Sequence, residues 1–464
     1  MATTNTNIGQ HGHTLTDWRP EDAKFWASRG HAIATRNLWI SIPALLLAFS
    51  VWMVWSVVVA KMPAIGFNFS VGERFWLAAL PGLSGATLRI FYSFMIPIFG
   101  GRLWTTLSTA SLLLPAVGIG MAVQNPDTSY LTFLILALLC GFGGGNFASS
   151  MANIAFFYPK KTKGNALALN AGLGNLGVSV MQFVVPVVIT MGVFGAIGGD
   201  AQTLSDGSQL WVQNAGYIWV PFIVLSTLAA WFGMNDIADA KASLSDQAII
   251  LKRKHNWVMS LLYTGTFGSF IGYSAGFPLL MKTQFPEVDV LAYAFLGPLV
   301  GALSRAGTGW ISDRFGGGRV TFWTFLGMIV AVLGVLQFLP LGDSHGSFWG
   351  FFACFMALFF LTGVGNASTF QMIPTIMRQE VPRLMPQLDE AATLKQSERE
   401  SAAIIAFTSA IAAYGAFFIP KAYGSSIALT GGPAAALWCF ALFYALCVGV
   451  TWAFYTRKGA KTPC

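Results

Sequence analysis

The stretch GATLRIFYSFMIPIFGGR (85–102) has a counterpart in GALSRAGTGWISDRFGGGR (301–319), and the pair decides how the whole chain reads. Each copy places an arginine, Arg89 or Arg305, inside an apolar run (75–99 and 291–311), and each reaches a phenylalanine, Phe99 or Phe315, ten residues later. A cation at bilayer depth costs at least about 2.5–3.5 kcal/mol, so it normally faces a protein interior and serves function. Two such cations, 216 residues apart, mean that a duplicated sequence supplies one from each copy, which reads as a paired site for an anion.

The surrounding composition fits that reading. The 464 residues are 55% hydrophobic and 10% charged, against roughly 25% charged in soluble domains. A span needs about 20 apolar residues. The chain predicts twelve, at roughly 37–60, 74–98, 103–122, 129–157, 165–194, 216–234, 256–280, 291–311, 320–340, 348–376, 401–421 and 434–456. The expected class is therefore an all-α integral membrane protein with twelve transmembrane helices. Gly143-x-Gly145-Asn146 recurs as Gly363-x-Gly365-Asn366, and Trp39 with Phe49 recurs as Trp257 with Phe267. Offsets of 216, 218 and 220 mean that the last six spans repeat the first six in the same orientation. Parallel repeats with substrate held between them near the midplane mark major-facilitator transporters, built of two pseudo-symmetric six-helix halves. The expected organisation is a tail at 1–36, halves at 37–234 and 256–456, a linker at 235–255 and a C-terminal tail at 457–464.

With a cytoplasmic N-terminus, 21 of the 27 lysines and arginines fall in cytoplasmic segments, and only Lys61, Arg74, Lys282 and Lys421 fall on the far side. Positive charge is retained inside during insertion, which puts both termini in the cytoplasm. The net charge of +8 then reports topology and carries no sign of nucleic acid as a partner. The polar first 35 residues or so contain no cleavable secretory signal. Cys140, Cys354, Cys439 and Cys447 lie in spans and Cys464 is terminal, so no disulfide framework is expected. All 19 acidic residues and all five histidines are read as lying in tails, loops or span ends. No metal-ligand spacing, nucleophile–base set or phosphate-cradling loop is visible, so neither an enzyme, a metal nor a cofactor is expected. A haem-bearing respiratory subunit would need histidines within spans. Gly172-x-Gly174-x-x-Gly177 spells a dinucleotide fingerprint, but that motif needs a preceding strand, and this copy lies in an apolar span.

The chain resembles the nitrate/nitrite porter family of the major facilitator superfamily, NarK-type, over nearly its whole length. The likeness rests on RNLWISIPALLLAFSVWM (36–53), YSFMIPIFGGR (92–102), CGFGGGNFASSMANIAFF (140–157), LLYTGTFGSFIGYSAGF (261–277) and FFIPKAYGSS (417–426). The family's first glycine-rich signature matches NAGLGNLGVSVMQ (170–182), with Ala171 where glycine is expected. The second, SAIAAYGAFFIP (409–420), is poorer in glycine, with Ala412, Tyr414 and Ala416. Larger side chains there are expected to separate spans 5 and 11 slightly.

The resemblance implies nitrate and nitrite as substrates, and a monomer in the inner-membrane bilayer. It implies that Arg89 and Arg305 clamp the anion, that Tyr263 and Asn175 donate further hydrogen bonds, that Phe147 and Phe370 close on its faces, and that Phe49 and Phe267 wall the cavity. The chemistry agrees, because a flat guanidinium grips two oxygens of a flat oxyanion where lysine is a point charge. Gly144, Gly172, Gly174 and Gly177 are expected to let helices approach and slide. Asp313, Arg314 and Arg319 are candidates for a cytoplasmic latch between the halves. Proton relays at membrane depth use Asp, Glu or His. With none in the spans, and two cations that resist desolvation when empty, exchange of external nitrate for internal nitrite is expected over proton-coupled symport.

Overall fold

The computed structural model describes residues 10–238, 249–340 and 345–464. The first nine residues of the expected tail, 239–248 of the expected linker and Asp343 lie outside the described residues. The chain is almost entirely helical. The long helices are α1 (His31–Met53), α2 (Trp55–Lys61), α3 (Val71–Tyr92), α4 (Gly101–Ala110), α5 (Leu113–Ala122), α6 (Tyr130–Phe157), α7 (Lys160–Val188) and α8 (Val220–Gly233). They continue with α9 (Lys254–Tyr263), α10 (Ser269–Gln284), α11 (Leu296–Gly307), α12 (Gly317–Phe338), α13 (Phe348–Leu384), α14 (Glu390–Ala413), α15 (Gly415–Thr430) and α16 (Ala434–Thr451).

Local chemistry sets the boundaries. Ser70 and Glu73 form a reciprocal capping box that opens α3. Ser129, Ser347 and Asp389 cap α6, α13 and α14 through their side chains. Gly100 and Gly316, in the two phenylalanine-glycine turns, sit at φ +83° and +88°, a region that costs other residues a steric penalty. Each turn breaks the chain just before α4 or α12.

Among the described residues, nine helical runs are long and apolar enough to cross a membrane. The remaining expected spans, 74–98, 256–280 and 291–311, are also helical, but they carry the polar residues discussed below. Apolar side chains cover the outside as well as the core: Leu225 is 63% exposed and Trp323 69%. Such a surface suits a hydrocarbon solvent. Helix α3 packs along α6, α1 along α7, α11 along α13 and α12 along α16, while α3 meets α15 and α7 meets α11.

Residues 10–36 of the tail pack onto this bundle. Strands Gln10–His11 and Thr14–Leu15 form a hairpin whose second strand pairs in parallel with Asp236–Ile237, just after α8. Asn235 is buried at the junction. Its amide N–H donates to Asn37 Oδ1 (2.9 Å), its Oδ1 accepts from Arg36 (2.7 Å) and Asn37 (3.2 Å), and its Nδ2 donates to the His13 carbonyl. Asp236 accepts the Arg102 amide N–H at 2.8 Å and pairs with the Arg102 guanidinium. Trp18 donates to the Phe156 carbonyl, and Glu21 accepts the Lys160 amide at the start of α7. At the start of α9, Arg253 makes a bidentate pair with Glu400, which is 1% exposed.

The Asn235 knot yields a stability test. Asn235→Leu removes the acceptor shared by Arg36 and Asn37 and the donor to the His13 carbonyl, each such hydrogen bond contributing about 0.5–1.5 kcal/mol. The apparent melting temperature in detergent is expected to fall by several degrees; an unchanged value would mean that the knot does not hold the tail.

Candidate functional site

The site begins where α3 crosses α6. A Cβ on Gly85 would lie 2.5 Å from the Trp52 indole and 3.1 Å from Gly144 Cα, and one on Gly144 would lie 2.6 Å from Trp52. Two glycines therefore allow backbone contact and leave the Gly144 carbonyl open to a side chain from α3. That side chain is Arg89, which is fully buried. Its Nε donates to the Gly144 carbonyl at 3.0 Å and its Nη1 to the Ser409 carbonyl at 3.2 Å, while its Nη2 is buried with no partner. The guanidinium lies over Phe147 (4.8 Å), Trp52 (5.2 Å) and Phe267 (5.7 Å).

Arg305, half-buried on α11, reaches the same aromatic group from the other side. Its Nη2 donates to the Tyr263 hydroxyl at 3.4 Å, its guanidinium lies 5.7 Å from the Phe370 ring, and its Nη1 is buried with no partner. Tyr263 stacks on Phe267 with centroids 5.4 Å apart and planes at 12°. The chain of contacts Arg89–Phe267–Tyr263–Arg305 brings both arginines to one place. No carboxylate pairs with either among the described residues.

The two arginines are not packed alike. Ser84 Oγ donates to the Leu138 carbonyl (2.7 Å) and Ser304 Oγ to the Phe360 carbonyl (3.0 Å). A Cβ on Gly141 or Gly363 would strike Ser84 or Ser304 respectively. The serines are 220 residues apart and the carbonyls and glycines they meet 222, whereas the arginines are 216 apart. Arg89 therefore follows its serine by five residues and Arg305 by one. Gly85 on Trp52 and Gly301 on Phe270 keep offsets of 216 and 218, the register of the arginine segments themselves.

Phe49 and Phe147 wall the Arg89 side, their rings 6.1 Å apart and edge-on, with Phe49 also against Trp52. Asn175 is 2% exposed on α7; its Oδ1 is buried without a partner, and no hydrogen bond joins it to either arginine. Gly174 lies against the Leu45 side chain and Gly177 against the Leu46 carbonyl, so both serve the α1–α7 contact, whereas a Cβ on Gly172 would meet nothing within 4 Å. The dinucleotide-like spelling at 172–177 lies inside continuous helix α7.

Two expectations change. Asp313, Arg314 and Arg319 are exposed and form no ion pair among the described residues; the pair that joins the two repeats is Lys160–Glu398, at 3.1 Å. That pair is also where α7 and α14 meet. The glycine-poor stretch of α14 and α15 faces elsewhere, with Ala412 and Gly415 against Gly268, and Ala416 against Gly82. Its alanines therefore do not wedge spans 5 and 11 apart.

Sequence reasoning missed Trp52, whose indole donates to the Pro81 carbonyl at 2.7 Å while its ring lies under Arg89. It also missed the Gly144 and Ser409 carbonyls. Trp52 follows Phe49 by three residues, one helical turn, which was a usable signal; backbone carbonyls leave none.

The Major Facilitator Superfamily profile matches residues 40–420. The chain is 53% identical over 462 residues to the nitrate/nitrite transporter NarU of Salmonella typhimurium, covering 99% of each chain. It is 52% identical to NarU of Escherichia coli over 450 residues, covering 96% of this chain and 97% of the relative. It is 41% identical over 461 residues to the probable nitrate/nitrite antiporter NarK2 of Thermus thermophilus, covering 98% and 99%.

Tyr263→Phe removes the acceptor for Arg305 and leaves the stack on Phe267 in place. Affinity for a small planar oxyanion is expected to fall roughly ten- to a hundredfold, the scale of one hydrogen bond to a charged group, with thermal stability unchanged. Isothermal titration of the purified protein reads this, and an unchanged affinity would assign the hydroxyl to packing.

Proposed function

Because the chain belongs to the major facilitator superfamily, we propose that it is a nitrate/nitrite transporter that exchanges external nitrate for internal nitrite by alternating access. It is a multi-pass membrane transport protein and not an enzyme. The names of its relatives support the substrates. The single observation that carries the mechanism is that each arginine keeps one buried N–H without a partner, with no carboxylate paired to it among the described residues. A buried donor left unmade costs about 1–3 kcal/mol, and more when charged. A bound oxyanion takes both donors at once and cancels the charge that burial penalises.

The proposed clamp is Arg89 and Arg305, with Tyr263 orienting Arg305, Asn175 supplying a further polar contact, and Phe49, Phe147, Phe267 and Phe370 excluding water. The stacked Tyr263–Phe267 plane favours a flat anion. Empty, the clamp leaves two cations short of partners, so reorientation runs easily only when loaded, which is obligatory exchange. Gly144, Gly174 and Gly177 provide the close crossings on which helices slide, and Gly172 is free to meet a neighbour in another conformation.

The finer architecture is also proposed: twelve spans, in halves at 37–234 and 256–456, joined by a linker at 235–255 and flanked by tails at 1–36 and 457–464. Recurrent pairings support it, because α3 with α6 repeats as α11 with α13, and α4 with α8 repeats as α12 with α16. The charge asymmetry supports cytoplasmic termini in an inner membrane, with a monomer as the working unit.

Arg89→Lys and Arg305→Lys keep the charge and lose the planar fork. Each is expected to lower nitrate uptake by at least about a hundredfold, as for loss of a buried charged contact of 3–5 kcal/mol; near-normal uptake by both would dismiss the clamp. The deciding experiment is nitrate uptake into proteoliposomes with and without internal nitrite, under an imposed proton gradient. Uptake that needs internal nitrite and ignores the gradient is expected. Uptake into empty vesicles driven by protons would make the protein a symporter, and no uptake at all would remove nitrate as its substrate.

A further inference from the structure

Three contacts run in order along the antiparallel seam between α3 and the α14–α15 segment. Gly82 lies against the Ala416 backbone, where a Cβ would come within 2.4 Å. Thr87 Oγ1 and the Tyr414 hydroxyl are 2.8 Å apart. Arg89 Nη1 donates to the Ser409 carbonyl. Thr87 Oγ1 also lies 2.8 Å from the Leu83 carbonyl, so its proton goes there and its oxygen accepts from Tyr414. Tyr414 occupies the break between α14 and α15, its N–H turned to Ile411 and Ala412. It is also one of the residues by which this chain departs from the glycine-rich pattern.

We propose that the Ser409 carbonyl holds, in the empty carrier, the place of an anion oxygen on Arg89, and that Tyr414 is the positioning residue that keeps it there through Thr87. A neutral carbonyl satisfies one N–H without cancelling the charge, so it is a weaker partner than an oxyanion and yields to it. Its presence nevertheless lowers the cost of being empty. The surrogate competes with substrate and sets the slow residual rate at which carriers return unloaded beside the dominant exchange. This inference rests on the anion-binding reading of Arg89, and it assigns Tyr414 control over affinity and over strictness of exchange.

The test uses Tyr414→Phe, Thr87→Val and the double variant, each nearly isosteric, with nitrate binding measured on purified full-length protein and uptake measured in proteoliposomes. Releasing the Ser409 carbonyl is expected to tighten nitrate binding roughly two- to tenfold, the scale of one competing hydrogen bond. The double variant should match either single one, because both break the same bond. Uptake into vesicles lacking internal nitrite should fall relative to exchange. A merely structural role would move affinity the other way. Weaker or unchanged binding in both single variants, or additive effects in the double, would overturn the assignment; should Tyr414→Phe not fold, Thr87→Val alone decides by the same criterion. Absence of nitrate binding by the parent protein would overturn the functional reading and this inference together, whereas parental binding with weakened variants overturns only the inference.

Discussion

A guanidinium held in an apolar interior, with no carboxylate paired to it among the described residues, is the constraint around which this molecule is arranged. The cation keeps its charge by other means. Arg89 lies over three aromatic faces, each contact contributing about 0.5–2 kcal/mol when desolvated, and it takes two backbone carbonyls. One of those carbonyls is reachable only because Gly85 and Gly144 let two helices touch. The glycine crossings, the indole of Trp52 and the break at Tyr414 are thus parts of one electrostatic arrangement. It is satisfied enough to fold and left short by one N–H on each side.

What the sequence made legible follows from the same physics. An arginine within an apolar run breaks a strong rule, so Arg89 and Arg305 stand out in any reading, whereas the aromatic residues around them came only with the resemblance to the porter family. The helical class is equally plain from long apolar runs. Three of the expected spans fall outside the nine helical runs that are long and apolar enough to cross a membrane, and they are the ones that carry Arg89, Tyr263 and Arg305. An arginine dilutes the apolar signal of the helix that holds it.

Other features were out of reach for definite reasons. Ser409 acts through its carbonyl, which every residue has, so no side-chain pattern marks it. Thr87 and Tyr414 meet across 327 positions of sequence, and Tyr414 looked like a mere lapse from a glycine-rich pattern. The acidic partner of Lys160 is Glu398 and not the charges beside the second glycine turn, because proximity to a turn says nothing about which loops face each other.

The two arginines also differ in what an arriving anion must displace. Arg305 is half-exposed, whereas Arg89 is wholly enclosed and already holds two backbone carbonyls. Solvent is shed at one and a carbonyl at the other, so the two ends of the proposed site are chemically unequal although the segments that supply them repeat one another.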